Sequence, residues 1–181
     1  MPVRRVRIGV AIAVPDPWGA ELEGWRASVG DAQAGSIPAH ITLLPPTAVA
    51  EDGLDLVEEH LARAASGGRA FEIELRGTGT FRPVSPVVFV ALSAGISGCE
   101  QLEARVRSGL LGREVEFPYH PHVTVAHDLP DDMLDHAYAG LAGFTARFRV
   151  SEIVLYVHLD GAWHQRRGFP LGAGPSSDTA G

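Results

Sequence analysis

Lysine is missing from this chain altogether: its 15 basic residues are all arginine, set against 22 acids for a formal charge of −7. Long nucleic acids are gripped mainly by neutralising many phosphates. A surface of this sign therefore argues against duplex DNA and favours a small nucleotide or an RNA terminus held locally. Cysteine is nearly missing too. The single one, Cys99, permits neither an internal disulfide nor a cysteine-based zinc site, and its place ahead of a helical pattern suits a small packing residue. No apolar run approaches the roughly 18 residues that a membrane span requires. The stretch Ile8 to Val14 follows Arg4, Arg5 and Arg7, but it is short and lacks a small-x-small cleavage site. It runs into Pro15-Asp16-Pro17, so it reads as a strand and a turn rather than a signal sequence. A cytoplasmic protein without membrane contact is expected.

What is present is an ordinary globular balance, 45% hydrophobic and 20% charged over 181 residues, enough for one domain or two small lobes sharing a core. Arg5 to Val14 alternates as a strand, and Pro17 opens a helix to about Val29 with Leu22, Trp25 and Val29 at helical spacing. A Gly/Ser/Pro loop, Asp31 to Pro38, delivers a short strand, His40 to Leu44, closed by Pro45-Pro46. An amphipathic helix over Glu51 to Ala65 follows, then strands at Phe71 to Leu75 and Val87 to Leu92. Gly77-Thr78-Gly79 lacks the lysine and helix of a phosphate loop and reads as a strand-end turn. The second half repeats much of this order. A helix over Ser97 to Leu111 leads through Phe117-Pro118-Tyr119-His120-Pro121 to a strand, His122 to Ala126. A helix to about Leu141 and three strands follow, near Phe144 to Val150, Ile153 to Leu159 and Trp163 to Phe169. The expectation is an α+β duplicated fold of two lobes, each an antiparallel sheet with helices outside, flanking a central cleft. Residues 1–171 form this one bilobal domain, and 172–181, poor in core-forming residues, form a disordered tail.

Two H-x-T words stand at matching places in the repeat. Residues two apart in a strand share a face, so His40 and Thr42 point together from a strand whose other positions, Ile41 and Leu43, are apolar. His122 and Thr124 do the same against Val123 and Val125. One such pair is most simply a satisfied core histidine; two copies in a repeated order ask for a common purpose. In-line cleavage of a phosphodiester needs a base for the attacking oxygen and an acid for the departing one. Histidine serves in both roles near neutral pH, and threonine hydroxyls can donate to the non-bridging oxygens as their charge grows. No metal or other cofactor is required.

These words, with their flanks His40-Ile-Thr-Leu-Leu-Pro-Pro46 and Pro118-Tyr-His-Pro-His-Val-Thr-Val-Ala126, resemble the 2H phosphoesterase superfamily, in particular its 2′-5′ RNA ligase-like, cyclic phosphodiesterase branch. The resemblance covers about residues 5 to 169. It implies two α+β lobes around a cleft and metal-independent opening of 2′,3′-cyclic phosphates of nucleotides or RNA ends, with reversible 2′-5′ RNA joining in some members. By the same resemblance His40 and His122 are the catalytic acid–base pair and Thr42 and Thr124 bind phosphate. His122 acts as the base on water and His40 as the acid on the departing ribose oxygen, an assignment that can also run in reverse. One departure is visible. Many members carry arginine three residues after the second threonine, where this chain has His127, which weakens the case for RNA joining more than for cyclic phosphate hydrolysis.

Other substrate contacts are weighed around this core. His127 should face away from His122 and Thr124 and reach substrate only if the strand bends. Tyr119 either stacks on a nucleobase at the cleft mouth or anchors its loop. Arg82 either supplies the missing positive charge or stands in solvent. The loops Ser28 to Pro38 and Arg113 to Pro121 should line the cleft, His60 and His136 should lie on solvated helix faces, and His158 and His164 fall on late strands. Two further readings compete with the enzyme: a nucleotide or RNA-end binding module without turnover, and a metallohydrolase using His120, His122 and His127. A two-lobed unit of this kind buries its own core, so a monomer is expected.

Overall fold

The computed structural model describes residues 1–172. Its elements follow the order β1 (Arg5–Ala13), α1 (Trp18–Ser28), β2 (His40–Ala50), α2 (Leu54–Ser66), β3 (Phe71–Thr80), β4 (Val87–Ala94), α3 (Ile96–Val106), β5 (His122–His127), α4 (Asp131–Gly140), β6 (Thr145–Val150), β7 (Glu152–Leu159) and β8 (Ala162–Pro170). Single 3-10 turns at Glu51–Gly53 and Gly109–Leu111 precede α2 and follow α3. The strands form two four-stranded antiparallel sheets, β2-β1-β7-β8 and β5-β4-β3-β6. The α+β, two-lobed architecture is therefore as expected.

The division of the chain between the lobes is not a cut at its midpoint. β3 belongs to the second sheet, and β7 and β8 return to complete the first. β7 pairs with β1 because its burial is nearly continuous from Ile153 to Val157, as suits a central strand covered on both faces. β6, an edge strand, alternates strictly between buried and exposed. The helices cross between lobes: α1 packs on β5, α3 on β2, and α2 lies against α3. One continuous apolar core results, from Ile8 and Leu43 in the first sheet to Leu75 and Val123 in the second.

The two H-x-T strands are edge strands of their respective sheets and approach one another. Both carry a bulge at the same place. Along β1, Ala11 pairs with Thr42 and Val10 with Leu44, leaving Leu43 as the extra residue. Along β4, Phe89 pairs with Thr124 and Val88 with Ala126, leaving Val125 extra. A bulge shifts the inside–outside alternation by one residue, so Leu43 and Leu44 are both buried, as are Val125 and Ala126. β2 continues past the bulge through Pro45 and Pro46 to Ala50 rather than stopping at the prolines; an edge strand tolerates them because their missing N–H groups can lie on the unpaired side.

Several local expectations are corrected. The glycines at 77 and 79 lie within β3, not at its end. A side chain at Gly79 would stand 2.5 Å from the Phe89 ring, so glycine is what lets that ring lie across the strand. His60 is buried, not solvated, because α2 packs on α3 and directs its Nε2 to the Val106 carbonyl oxygen at 2.8 Å. His136 is exposed as expected. Cys99 is fully buried, and burial pushes its thiol up to about 12. Gly172, assigned to the tail, is paired: its N–H donates to the Gly68 carbonyl and its own carbonyl accepts from Ala70 N–H. The remaining tail, 173–181, lies outside the described residues.

Candidate active site

A cavity of about 550 Å³ lies where β2 meets β5, and His40, Thr42, His122 and Thr124 all line it. Regular antiparallel register ahead of each bulge produces this placement in the same way on both sides. His40 lies opposite Ala13 on β1, and His122 opposite Ala91 on β4. The residue after each histidine points into the core, which fixes the imidazole and hydroxyl on the cavity side.

Each imidazole is held by its own approach segment. His40 Nδ1 lies 2.8 Å from the Pro38 carbonyl oxygen, and His122 Nδ1 lies 2.7 Å from that of His120. A carbonyl can only accept, so Nδ1 carries the hydrogen in both rings. In the neutral form Nε2 is then an unprotonated acceptor. Burial pushes both histidines below their usual pKa. The carbonyl bonds oppose that shift, while Arg26 and His122 add to it at His40, and His120 adds to it at His122. His122 is walled by Phe81 and Phe89, whose ring centroids lie 4.9 and 5.2 Å from its own. Gly79 makes room for the second of these rings.

The bulge at Val125 also decides His127. Alternation restarts beyond it, so His127 turns to the cavity side with His122 and Thr124 rather than away from them. Tyr119 is not at the cleft mouth. It packs against the core and its hydroxyl donates to the Thr42 carbonyl oxygen at 2.8 Å, which is the loop-anchor alternative; burial pushes its phenol well up. Arg82 is not among the cavity-lining residues. Its guanidinium pairs with Asp135 at 2.9 Å and Asp131 at 3.5 Å on α4, and its Nε donates to Thr80. The loop Ser28 to Pro38 lines the cavity through Gln33, Ser36 and Ile37, whereas Arg113 to Pro121 supplies no lining residue. Among the described residues no three His, Cys, Asp or Glu side chains converge as metal ligands, so the set His120, His122 and His127 does not assemble as that reading needs.

The cavity residues that sequence reasoning missed include Arg26, Phe81, Tyr156 and Trp163. Tyr156 faces Gly9 across the β1–β7 pairing, and the edge of the Trp163 ring comes up to Gly9. His158 reaches this region only through Trp163, against which its ring stands edge-on, while His164 is exposed. Arg26 sits in the last turn of α1. The helical position of Arg26 and the strand pairing of Trp163 with His158 carried no motif that would have marked either residue.

The model of the 2′-5′ RNA ligase superfamily matches residues 14–162. The chain belongs to that superfamily. A Bacillus licheniformis protein assigned by name to the phosphoesterases is 30% identical over 142 residues, which span 76% of this chain and 82% of the relative. One of Oceanobacillus iheyensis is 27% identical over 139 residues, 75% of this chain and 81% of the relative. The crystal structure of apo E. coli LigT superimposes with a TM-score of 0.68 at 23% identity, over 93% of this chain and 99% of that one. TT0787 of Thermus thermophilus does so with a TM-score of 0.58 at 22% identity, over 92% and 98%. At these identities the likeness shows the shared bilobal fold. E. coli LigT has also been crystallised with NADP+ and with 3′-AMP. Membership of the 2′-5′ RNA ligase superfamily makes this chain a 2H phosphoesterase.

Proposed function

We propose that residues 1–171 act as one catalytic unit that opens 2′,3′-cyclic phosphates of nucleotides or RNA ends without a metal ion, by acid–base catalysis between His40 and His122. The observation that carries this reading is the matched tethering of the two rings. Each Nδ1 is bonded to the carbonyl two residues earlier, and both rings line one cavity with Thr42 and Thr124. A reacting phosphorus between the two Nε2 atoms has a proton acceptor on one side and a proton donor on the other.

In the hydrolytic direction His122 Nε2 takes a proton from water as its oxygen bonds to phosphorus. The bond from phosphorus to one ribose oxygen breaks, and His40 Nε2 delivers a proton to that oxygen. Thr42 and Thr124 donate to the non-bridging oxygens. The product is a phosphomonoester, and the histidines have exchanged protonation states. With an RNA 5′-hydroxyl in place of water and the bond from phosphorus to the 3′-oxygen breaking, the same forward transfers join ends through a 2′-5′ linkage, and their reversal cleaves it. The nucleotides bound by LigT support a nucleotide ligand.

The test is a panel of cyclic nucleotides, 2′-5′ dinucleotides and RNA ends assayed in EDTA, with products resolved as 2′ or 3′ phosphates. Turnover of cyclic phosphates that resists chelation is the expected result. Tight nucleotide binding without turnover of any substrate, or activity that returns only with added metal, overturns the reading.

A further inference from the structure

The cavity wall carries a charge that no motif announces. Of its lining residues among those described, Arg26 alone bears a permanent charge, and none is acidic, in a chain whose formal charge is −7. The two positions expected to supply a cation do not: 127 holds histidine, and Arg82 is committed to Asp131 and Asp135 on α4.

Arg26 is held as a binding group is held. Its Nε donates to Asp31 Oδ2 at 2.8 Å, and the two side chains are 15% and 1% exposed. Asp31 is itself fixed, because its Oδ1 accepts the backbone N–H of Gln33 at 2.8 Å and its own N–H donates to the Arg26 carbonyl at 3.2 Å. A buried carboxylate is costly unless paired, so Asp31 and Arg26 secure each other. The pairing uses the inner nitrogen of the guanidinium and leaves the terminal Nη groups for the cavity, where a planar fork matches the oxygens of a phosphate.

We infer that Arg26, positioned by Asp31, binds phosphate oxygens of the substrate in the cleft, as its permanent cation among the described residues. The oxygens belong either to the phosphate undergoing reaction or to a further phosphate of the nucleotide. The kinetic arm of the test rests on the proposed reaction; the binding arm does not.

Inorganic phosphate titrated calorimetrically into the full chain gives the binding arm. R26Q is expected to weaken its affinity about tenfold to a hundredfold, the range for losing hydrogen bonds to a charged group, and D31N to weaken it less. R149Q, which removes the same charge from an exposed strand position paired only at 3.9 Å with Glu72, should leave the affinity unchanged. In the kinetic arm R26Q raises KM with little change in kcat. A nucleoside 2′,3′-cyclic phosphate is compared with its 5′-phosphorylated counterpart. Equal losses assign Arg26 to the reacting phosphate, and a loss confined to the second compound assigns it to the 5′-phosphate. A folded R26Q with wild-type phosphate affinity and wild-type KM overturns the inference. R26K, which keeps the charge but loses the fork, should fall between, and it serves as the test should R26Q fail to fold. A wild type that binds phosphate through Arg26 yet turns over no cyclic phosphate would overturn the proposed reaction and leave this inference standing.

Discussion

The hydroxyl of Tyr119 donates a 2.8 Å hydrogen bond to the carbonyl oxygen of Thr42, so the segment that leads into one H-x-T strand is fastened to the backbone of the other. This bond crosses between the two sheets three residues before His122 and two after His40. Tyr119→Phe keeps the ring and loses only the donor. Stability should fall by about 1 kcal/mol, the usual net value of such a bond, as read from urea unfolding. kcat should fall severalfold as the two strands lose registry, while KM holds. A rise in KM that depends on the nucleobase would instead put the ring in contact with substrate.

His40→Ala and His122→Ala should each lower kcat for a cyclic phosphate by about 10²- to 10⁴-fold, the worth of one positioned proton-transfer group. The double variant should be little worse than either single one, because neither ring completes the reaction alone. Steady-state rates in EDTA check this, with circular dichroism to show that the fold persists. Activity that survives either substitution would sink the acid–base pairing.

Burial disfavours the charged form of both histidines, and this fixes the direction of two pH effects. The bell-shaped profile of kcat/KM, which reports the free enzyme, should be centred below the ordinary histidine value of about 6.5. Stability should follow the same sign. Below about pH 6.5 the unfolded chain binds protons that the folded one resists, so the melting temperature should drop as pH falls from neutrality through the depressed values. Replacing either histidine by glutamine should flatten that drop. A melting temperature that rises on acidification over this range would contradict the shifts.

Gly79→Ala tests the wall behind His122. The added methyl would stand 2.5 Å from the Phe89 ring, and that ring packs against Phe81 and His122. Overpacking of this kind costs about 1–3 kcal/mol. Because the displaced ring presses on the imidazole, kcat should fall more than KM changes. Thermal melting and steady-state kinetics on the same preparation separate the two effects.

Much of this molecule was legible from local pattern. Period-two alternation put His40 with Thr42 and His122 with Thr124 on common faces, helical spacing marked the first three helices and a proline start the fourth, and the setting of Cys99 read as core. These properties depend on residues within one strand or helix, whose burial is written in its own periodicity. Other features depended on a partner far along the chain. The bulges at Leu43 and Val125 arise from pairing with β1 and β4, and they turned His127 into the cleft against the simple alternation of its strand. The burial of His60 comes from α3, and the binding of Arg82 from α4. Among the described residues the permanent cation that lines the cleft is Arg26, on a helix with no motif, where its pairing with Asp31 and the fold of the intervening loop hold it. The sequence alone determined which residues could do the chemistry. The tertiary structure decided which of them meet, since strand register and ion pairing are settled only when distant segments bury one another.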